Sequence, residues 1–260
     1  MKNLTLPSLL VLTVLFISSC STPSYFVPAI AGNDVSYLPK PMGSDSIKVK
    51  NYISAGLAGL SLPYGTGDLT MGVLNYSRAH TTKNLNIAYG VFGFAGETNY
   101  DSEYNKDNNI PEFDGKGIFG GGLRTSIGYY DNAGNAEFRI ISWENALTFE
   151  SGGYADFRKQ MKNLNNPNII SSTKTTLFTT GMASEIIWHP KKNFNHHYAF
   201  RLFYGVTPGL NNSLRNQYNE SLKGGAFDFA FYFKLNKLYG IINSGVNKGA
   251  SSKLSLGFSF

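Results

Sequence analysis

Strict alternation of apolar with small or polar side chains runs through the chain from about residue 49 to residue 260. The clearest case lies at 226–235, where phenylalanine or leucine occupies every second position from Phe227 to Leu235. Successive side chains of a strand point to opposite faces of a sheet, so a period of two predicts strands with one apolar face. The sequence therefore predicts an all-β protein.

The second face of these strands indicates what surrounds them. A water-facing strand surface normally carries Lys, Glu, Thr and Gln, but here the second face carries mostly Gly, Ala and Ser with single charges, in a chain with 28 glycines and only 15% charged residues. Small residues suit the crowded interior of a narrow barrel, and an aromatic outer face suits lipid. We therefore expect a transmembrane β-barrel, with a soluble periplasmic β-domain as the alternative.

Ten such segments can be placed, and the connections between them alternate in length. We predict a ten-stranded antiparallel transmembrane β-barrel over residues 49–260, within a range of eight to twelve strands. The predicted strands lie at 50–62, 68–79, 84–96, 118–130, 136–149, 174–188, 198–206, 225–235, 238–247 and 251–260.

This pattern resembles bacterial outer-membrane β-barrels. The resemblance implies that the long connections 97–117, 150–173 and 207–224 lie outside the cell and that both ends of the barrel sequence face the periplasm. The last strand resembles the signal that the barrel-assembly machinery reads, with Phe258 and Phe260 as its aromatic residues. The partners implied are outer-membrane lipids, lipopolysaccharide and that machinery.

The first twenty residues resemble a bacterial lipoprotein signal peptide. Lys2 precedes an apolar run from Leu4 to Ile17, which is too short to span a bilayer and has the length of a signal peptide. The run ends in Ile17-Ser18-Ser19-Cys20, which resembles a lipobox, and Cys20 is the only cysteine. The resemblance implies that residues 1–19 are removed and that Cys20 carries acyl chains such as palmitate. An ordinary signal peptide that leaves an unmodified thiol is the alternative.

Residues 20–48 show neither the period of two of a strand nor the period of about 3.6 of a helix, and they contain four prolines. We expect a lipid-anchored periplasmic tether that starts on the same side of the membrane as the C-terminus. It would rest against the base of the barrel or present Tyr25-Phe26-Val27 to an envelope protein. A disordered remnant of export is the alternative.

Two groups of residues are candidate metal sites. Asp101, Glu103, Asn105, Asp107 and Glu112 have the spacing of a calcium loop, but Lys106 replaces the glycine that such a loop needs. His189, His196 and His197 cluster around one turn and are candidate ligands for zinc or copper. We expect a solvated acidic loop and polar turn residues instead, and no cofactor.

Charged residues on the inward face predict a filled lumen, because opposite charges in a narrow interior should pair. We expect a structural or assembly-partner component of the cell envelope, with a narrow or gated pore as the alternative. An envelope lipid-modifying enzyme is less favoured, since every histidine falls on the periplasmic side and no catalytic residue is predicted. The scattered basic residues do not favour nucleic-acid binding. The predicted lumen charges are Arg124, Glu185, Arg201, Asp228, Lys234 and Lys253.

Overall fold

The computed structural model describes residues 23–100, 111–164, 166–191, 193, 195–214, 222 and 224–260. Ten strands form one closed barrel in which every pair of neighbours is antiparallel. The predicted fold class is confirmed. The barrel strands are β2 (Val49–Ser61), β3 (Asp68–Thr81), β4 (Leu85–Asn99), β5 (Gly117–Ala133), β6 (Ala136–Ser151), β8 (Thr176–Trp188), β9 (His196–Val206), β10 (Ala226–Leu235), β11 (Leu238–Val246) and β12 (Ala250–Ser259).

The two ends of the barrel differ. One end, here called the turn end, carries the connections 82–84, 134–135, 189–195 and 236–237, and also the start of β2 and the end of β12. The other, the loop end, carries the long connections 100–116, 152–175 and 207–225. The predicted alternation of long and short connections therefore places all three long ones at one end.

The outward face of the barrel is apolar all the way round. Leu57, Leu74 and Tyr204 are each 67% exposed, and exposed large apolar side chains occur on all ten barrel strands. A continuous exposed apolar surface of this size is not compatible with water, so the outward face is a lipid-facing belt. Within the described ranges, no helix is long and apolar enough to cross a bilayer.

The N-terminal segment runs through the lumen. It begins with β1 (Ser24–Phe26), which pairs in parallel with β7 (Ile169–Ser171) in the long connection between β6 and β8. Every residue from Ser24 to Met42 is buried, and the segment then enters β2 at the turn end. We name residues 23–42 the plug.

The expected tether against the barrel base is therefore wrong for residues 23–42, whereas residues 43–48 lie at the turn end, where Asp45 contacts Lys50 and His197. The structure places Pro23 at the loop end and Phe260 at the turn end, where Phe260 accepts a hydrogen bond from the Asn51 amide over 2.8 Å. The physical reason lies in the inward face of the barrel wall. Its small side chains leave space for a chain segment, and its buried charges require polar partners, which the plug supplies. Composition alone does not show where a segment without a period will lie.

The loop end is covered by short elements around the plug. Helix α1 (Gly153–Asn163) buries Tyr154, Phe157 and Met161, and the short helix α2 (Leu210–Ser213) buries Leu210. A 3-10 turn (Pro63–Gly65) lies beside β1. The two helices belong to the same apolar cluster as the start of the plug, and the ring of Tyr64 in the turn lies 5.5 Å from that of Tyr25, so the loop end has a packed lid of its own.

Candidate functional site: the plugged lumen

The first residues of the plug are held by apolar packing. The ring of Phe26 lies 5.3 Å from that of Phe113 and 5.1 Å from that of Phe157, both edge to face. The Tyr154 hydroxyl donates a hydrogen bond to the Val27 carbonyl over 2.9 Å. Such aromatic pairs contribute about 0.5–1.5 kcal/mol each beyond the area they bury. The apolar stretch Tyr25–Val27 thus lies in the lid and is not presented to the periplasm.

A buried ion pair lies next to this region and contacts the plug. Arg158 on α1 and Glu150 at the end of β6 are both buried, and Arg158 Nη2 lies 2.7 Å from Glu150 Oε1. The other oxygen of Glu150 accepts a hydrogen bond from the Ala29 amide over 2.9 Å. One carboxylate therefore ties the helix, the barrel wall and the plug together.

The next part of the plug turns back on itself before it descends. Gly32 has a φ of +82°, and a Cβ at this position would lie 2.8 Å from Ser251 Oγ. The close approach lets Ser251 donate a hydrogen bond to the Gly32 carbonyl over 2.8 Å. Both the positive φ and the contact require a residue without a side chain here.

Two cations of the wall bind the backbone at this level. Arg124 donates to the Asp34 carbonyl over 2.6 Å and to the Asn33 carbonyl over 3.2 Å. Lys253 Nζ donates to the same Asn33 carbonyl over 3.2 Å. The Asp34 carboxylate accepts a hydrogen bond from Thr179. The turn of the plug thus satisfies wall cations that would otherwise face an empty lumen.

Halfway down, the plug contributes a charge of its own. Lys40 Nζ lies 3.7 Å from Glu185 and 3.9 Å from Glu144, and its side chain is fully buried. The Tyr37 hydroxyl donates a hydrogen bond to Glu185 as well. Burying a cation without a partner is very costly, so these carboxylates fix the position of Lys40 in the lumen.

The same carboxylates are shared with arginines of the wall. Arg201 pairs with Glu144 and with Asp228, and Asn243 donates to Asp228 over 3.1 Å. Each carboxylate therefore has more than one donor. Networks that satisfy all their members hold a unique arrangement more firmly than isolated pairs do.

Near the turn end, Arg139 joins wall and plug. It lies 2.8 Å from both Glu137 and Glu185, and it donates to the Pro41 carbonyl over 3.0 Å. Glu137 in turn accepts a hydrogen bond from the Gly43 amide. This contact pins the plug just before it leaves the lumen.

The exit of the segment is marked by Asp45. Its carboxylate lies 3.0 Å from Lys50 Nζ and 3.3 Å from His197 Nε2. Burial alone would raise the pKa of Asp45, but the hydrogen bonds and charges of His197 and Lys50 outweigh burial and hold it well below its usual range. Asp45 is therefore ionised at physiological pH, and its contact with His197 ties the segment to β9 as it leaves the lumen.

Within the described residues, equal numbers of cations and carboxylates meet in the lumen, which we name the lumen charge cluster. It consists of Arg124, Arg139, Arg201, Lys40 and Lys253 with Asp34, Glu137, Glu144, Glu185 and Asp228. The formal charges of these side chains therefore balance, five cationic against five carboxylic.

The structure places all six predicted lumen charges on the inward face, and all are buried. Five belong to the cluster, while Lys234 lies at the turn end beside Asp45 and Lys50. The prediction missed Glu137, Arg139 and Glu144 on β6. The register of β6 against β8 shifts between Arg139 and Ser142, which breaks the alternation there. Glu144 still alternates with the outward Trp143, and that signal was available in the sequence.

The candidate metal residues do not assemble in the described residues. Asp101, Glu103, Asn105 and Asp107 lie outside these residues, and Glu112 is exposed. His189 and His197 have ring centres 6.4 Å apart. His196 Nε2 lies 3.1 Å from Nδ2 of the Asn193 side chain. In the part of the chain that the structure describes, no three His, Cys, Asp or Glu side chains form a metal-binding group. Cys20 also lies outside the described residues.

The aromatic residues of the predicted assembly signal lie together at the turn end. The rings of Phe258 and Phe260 are stacked with centres 6.4 Å apart. Both side chains are exposed on the outward face, 39% and 59% respectively. They can therefore be contacted from the membrane.

The chain is thus a closed ten-stranded antiparallel barrel with an apolar outward face, and it is similar in fold to solved outer-membrane barrels. Neisserial surface protein A is 12% identical over 81% of this chain and 95% of its own, with a TM-score of 0.34. An outer-membrane channel from Pseudomonas putida F1 is 9% identical over 86% of this chain and 100% of its own, with a TM-score of 0.44. The translocator domain of the autotransporter NalP from Neisseria meningitidis is 10% identical over 84% and 90%, with a TM-score of 0.35.

At such low identities the likeness concerns the barrel fold alone. No protein-family model matches the sequence, and no curated protein matches it. The function must therefore be argued from the lumen.

Proposed function

We propose that this protein is a lipid-anchored outer-membrane barrel, closed by its own N-terminal segment, that serves as a structural or assembly-partner component of the envelope. The single observation that carries the proposal is the unbroken buried run from Ser24 to Met42 inside the barrel. Barrels of about eight strands are filled by side chains, and aqueous channels come at about sixteen. A ten-stranded wall with a chain segment inside it leaves little room for solutes.

The lipid anchor in this proposal rests on the lipobox before Cys20, and the membrane on the apolar belt. The long connections and the packed lid offer a surface for an envelope partner. In this reading the lumen is a structural core, and the activity of the protein lies in what its two ends contact.

A gated pore is the second candidate, and one observation favours it. In the middle of the lumen Asp34, Ser36 and Lys40 of the plug make polar contacts with the wall. They alternate there with Val35, Tyr37 and Leu38, which belong to apolar clusters. Polar contacts can be exchanged for water, whereas a dry apolar plug cannot be wetted at low cost. A partner that pulls on the plug could therefore open the barrel.

Conductance in planar bilayers separates these two functions. We expect no steady conductance from the wild type, and a steady conductance from a variant that lacks residues 23–42, because the deletion removes the only chain segment that the structure describes inside the lumen. An Asp156→Asn variant is the control, since it breaks only the exposed pair with Lys159. Steady conductance in the wild type would establish the pore and refute the proposal that the plug blocks the lumen.

A further inference from the structure

We propose that the barrel carries the beginning of the mature chain to the loop end, so that acyl chains on Cys20 enter the outer leaflet at the cell surface. This inference rests on the proposed function, because it uses the lipid anchor and the outer membrane assigned there. The inference adds the side of the membrane on which the acyl chains lie. A lipoprotein whose tether stayed outside its barrel would keep its anchor in the periplasmic leaflet.

The start of the plug is fixed at the loop end by its pairing. β1 is in register with β7 from Ser24 opposite Ile169 to Phe26 opposite Ser171. The Ser24 amide donates to the Asn168 carbonyl over 2.8 Å, and the Ser172 amide donates to the Phe26 carbonyl over 3.0 Å. Together with the buried ring of Phe26, these hydrogen bonds hold the start of the plug against the connection between β6 and β8.

Chain length then decides which leaflet the anchor can reach. Cys20 precedes Pro23 by three residues, and three residues span at most about 11 Å when fully extended. The hydrocarbon core of a bilayer is about 30 Å thick. An anchor tied to the loop end can therefore reach the near leaflet and cannot reach the far one.

The outward face of the wall at the loop end presents an apolar surface that suits acyl chains. Phe119, Phe149 and Phe178 lie near the loop end on the neighbouring strands β5, β6 and β8, and each is about half exposed, at 54%, 51% and 45%. They face outward, toward the surrounding lipid. An acyl chain inserted beside the loop end therefore meets apolar side chains of the wall there.

Epitope tags report which side of the membrane each end of the barrel faces. One tag is inserted between Thr22 and Pro23, a second within residues 101–110 of a long loop, and a third in the connection 189–195 at the turn end. We expect antibody to label the first two tags on intact cells to a similar level. The third tag should be labelled only after the outer membrane is permeabilised.

Two results would overturn the inference. In one, the tag before Pro23 needs permeabilisation while the loop tag does not, which means that the plug does not deliver the chain start to the surface. In the other, the turn-end tag is labelled on intact cells and the loop tag is not, which means that the barrel has the opposite orientation. Each tagged protein is checked for the folded band on an unheated gel.

A second variant of unchanged length guards against misfolding of the tagged chains. Pro23→Cys, labelled with a membrane-impermeant maleimide, should react on intact cells, and protection until permeabilisation would again refute the inference. Labelled palmitate compared between wild type and Cys20→Ala tests the anchor separately. Equal palmitate label in both would refute the lipid anchor, whereas the tags would still report the path of the plug.

Discussion

At the scale of single residues, the buried charges have several partners each, and Arg139 contacts both the barrel wall and the plug. It is fully buried, lies 2.8 Å from each of two carboxylates, and donates to the plug at the Pro41 carbonyl. Removing one partner of a buried pair is costly because the charge that remains has lost its compensation. Arg139 should therefore stabilise both the wall and the seat of the plug.

We predict that Arg139→Met lowers the free energy of unfolding by about 3–5 kcal/mol, since it leaves Glu137 and Glu185 short of a buried cation. Urea titration in lipid vesicles measures this change. Arg78→Met is the matched control, because Arg78 is exposed on the outward face of β3, and we expect a change within about 0.5 kcal/mol. Equal effects of the two substitutions would mean that the lumen charge cluster does not stabilise the barrel.

At the scale of elements, the parallel pairing of β1 with β7 decides the path of the plug. Cysteines at Ser24 and Ile169 would stand directly opposite each other in this pairing, and a disulfide forms when Cα atoms lie about 4.4–6.8 Å apart. We predict that the Ser24→Cys/Ile169→Cys variant forms an internal crosslink on mild oxidation in native membranes. Altered mobility on a non-reducing gel detects it.

The matched control pairs Ser24→Cys with Ser259→Cys, because Ser259 lies at the turn end in β12. This variant should stay uncrosslinked. If the control crosslinks and the first pair does not, the start of the plug lies at the turn end, and the observed path is refuted.

At the scale of the whole molecule, closure of the barrel satisfies the backbone of every barrel strand. In lipid, an unpaired strand edge would cost several kcal/mol for each polar group. We predict that unheated protein in detergent migrates differently from boiled protein. Ser255→Pro should abolish the folded band, because Ser255 lies between β11 and β2 and proline cannot donate to the ladder. Identical mobility of heated and unheated wild type, with release by carbonate, would instead indicate a soluble β-domain.

The sequence by itself predicted the ten barrel strands, within a range of eight to twelve, and the gathering of the three long loops at one end, because each depends on a local period of two and on the spacing of turns. It also placed the charges of Arg124, Arg201 and Asp228 on the inward face, because alternation assigns faces. It did not predict the short strands β1 and β7. Only the tertiary structure decided where residues 23–42 go. Their contacts with Glu150, Arg124 and Glu185 join residues about 90 to 150 positions apart, and no local pattern encodes such contacts. A segment without a period is placed by the charges and spaces that the rest of the chain leaves for it, and here those lie inside the barrel.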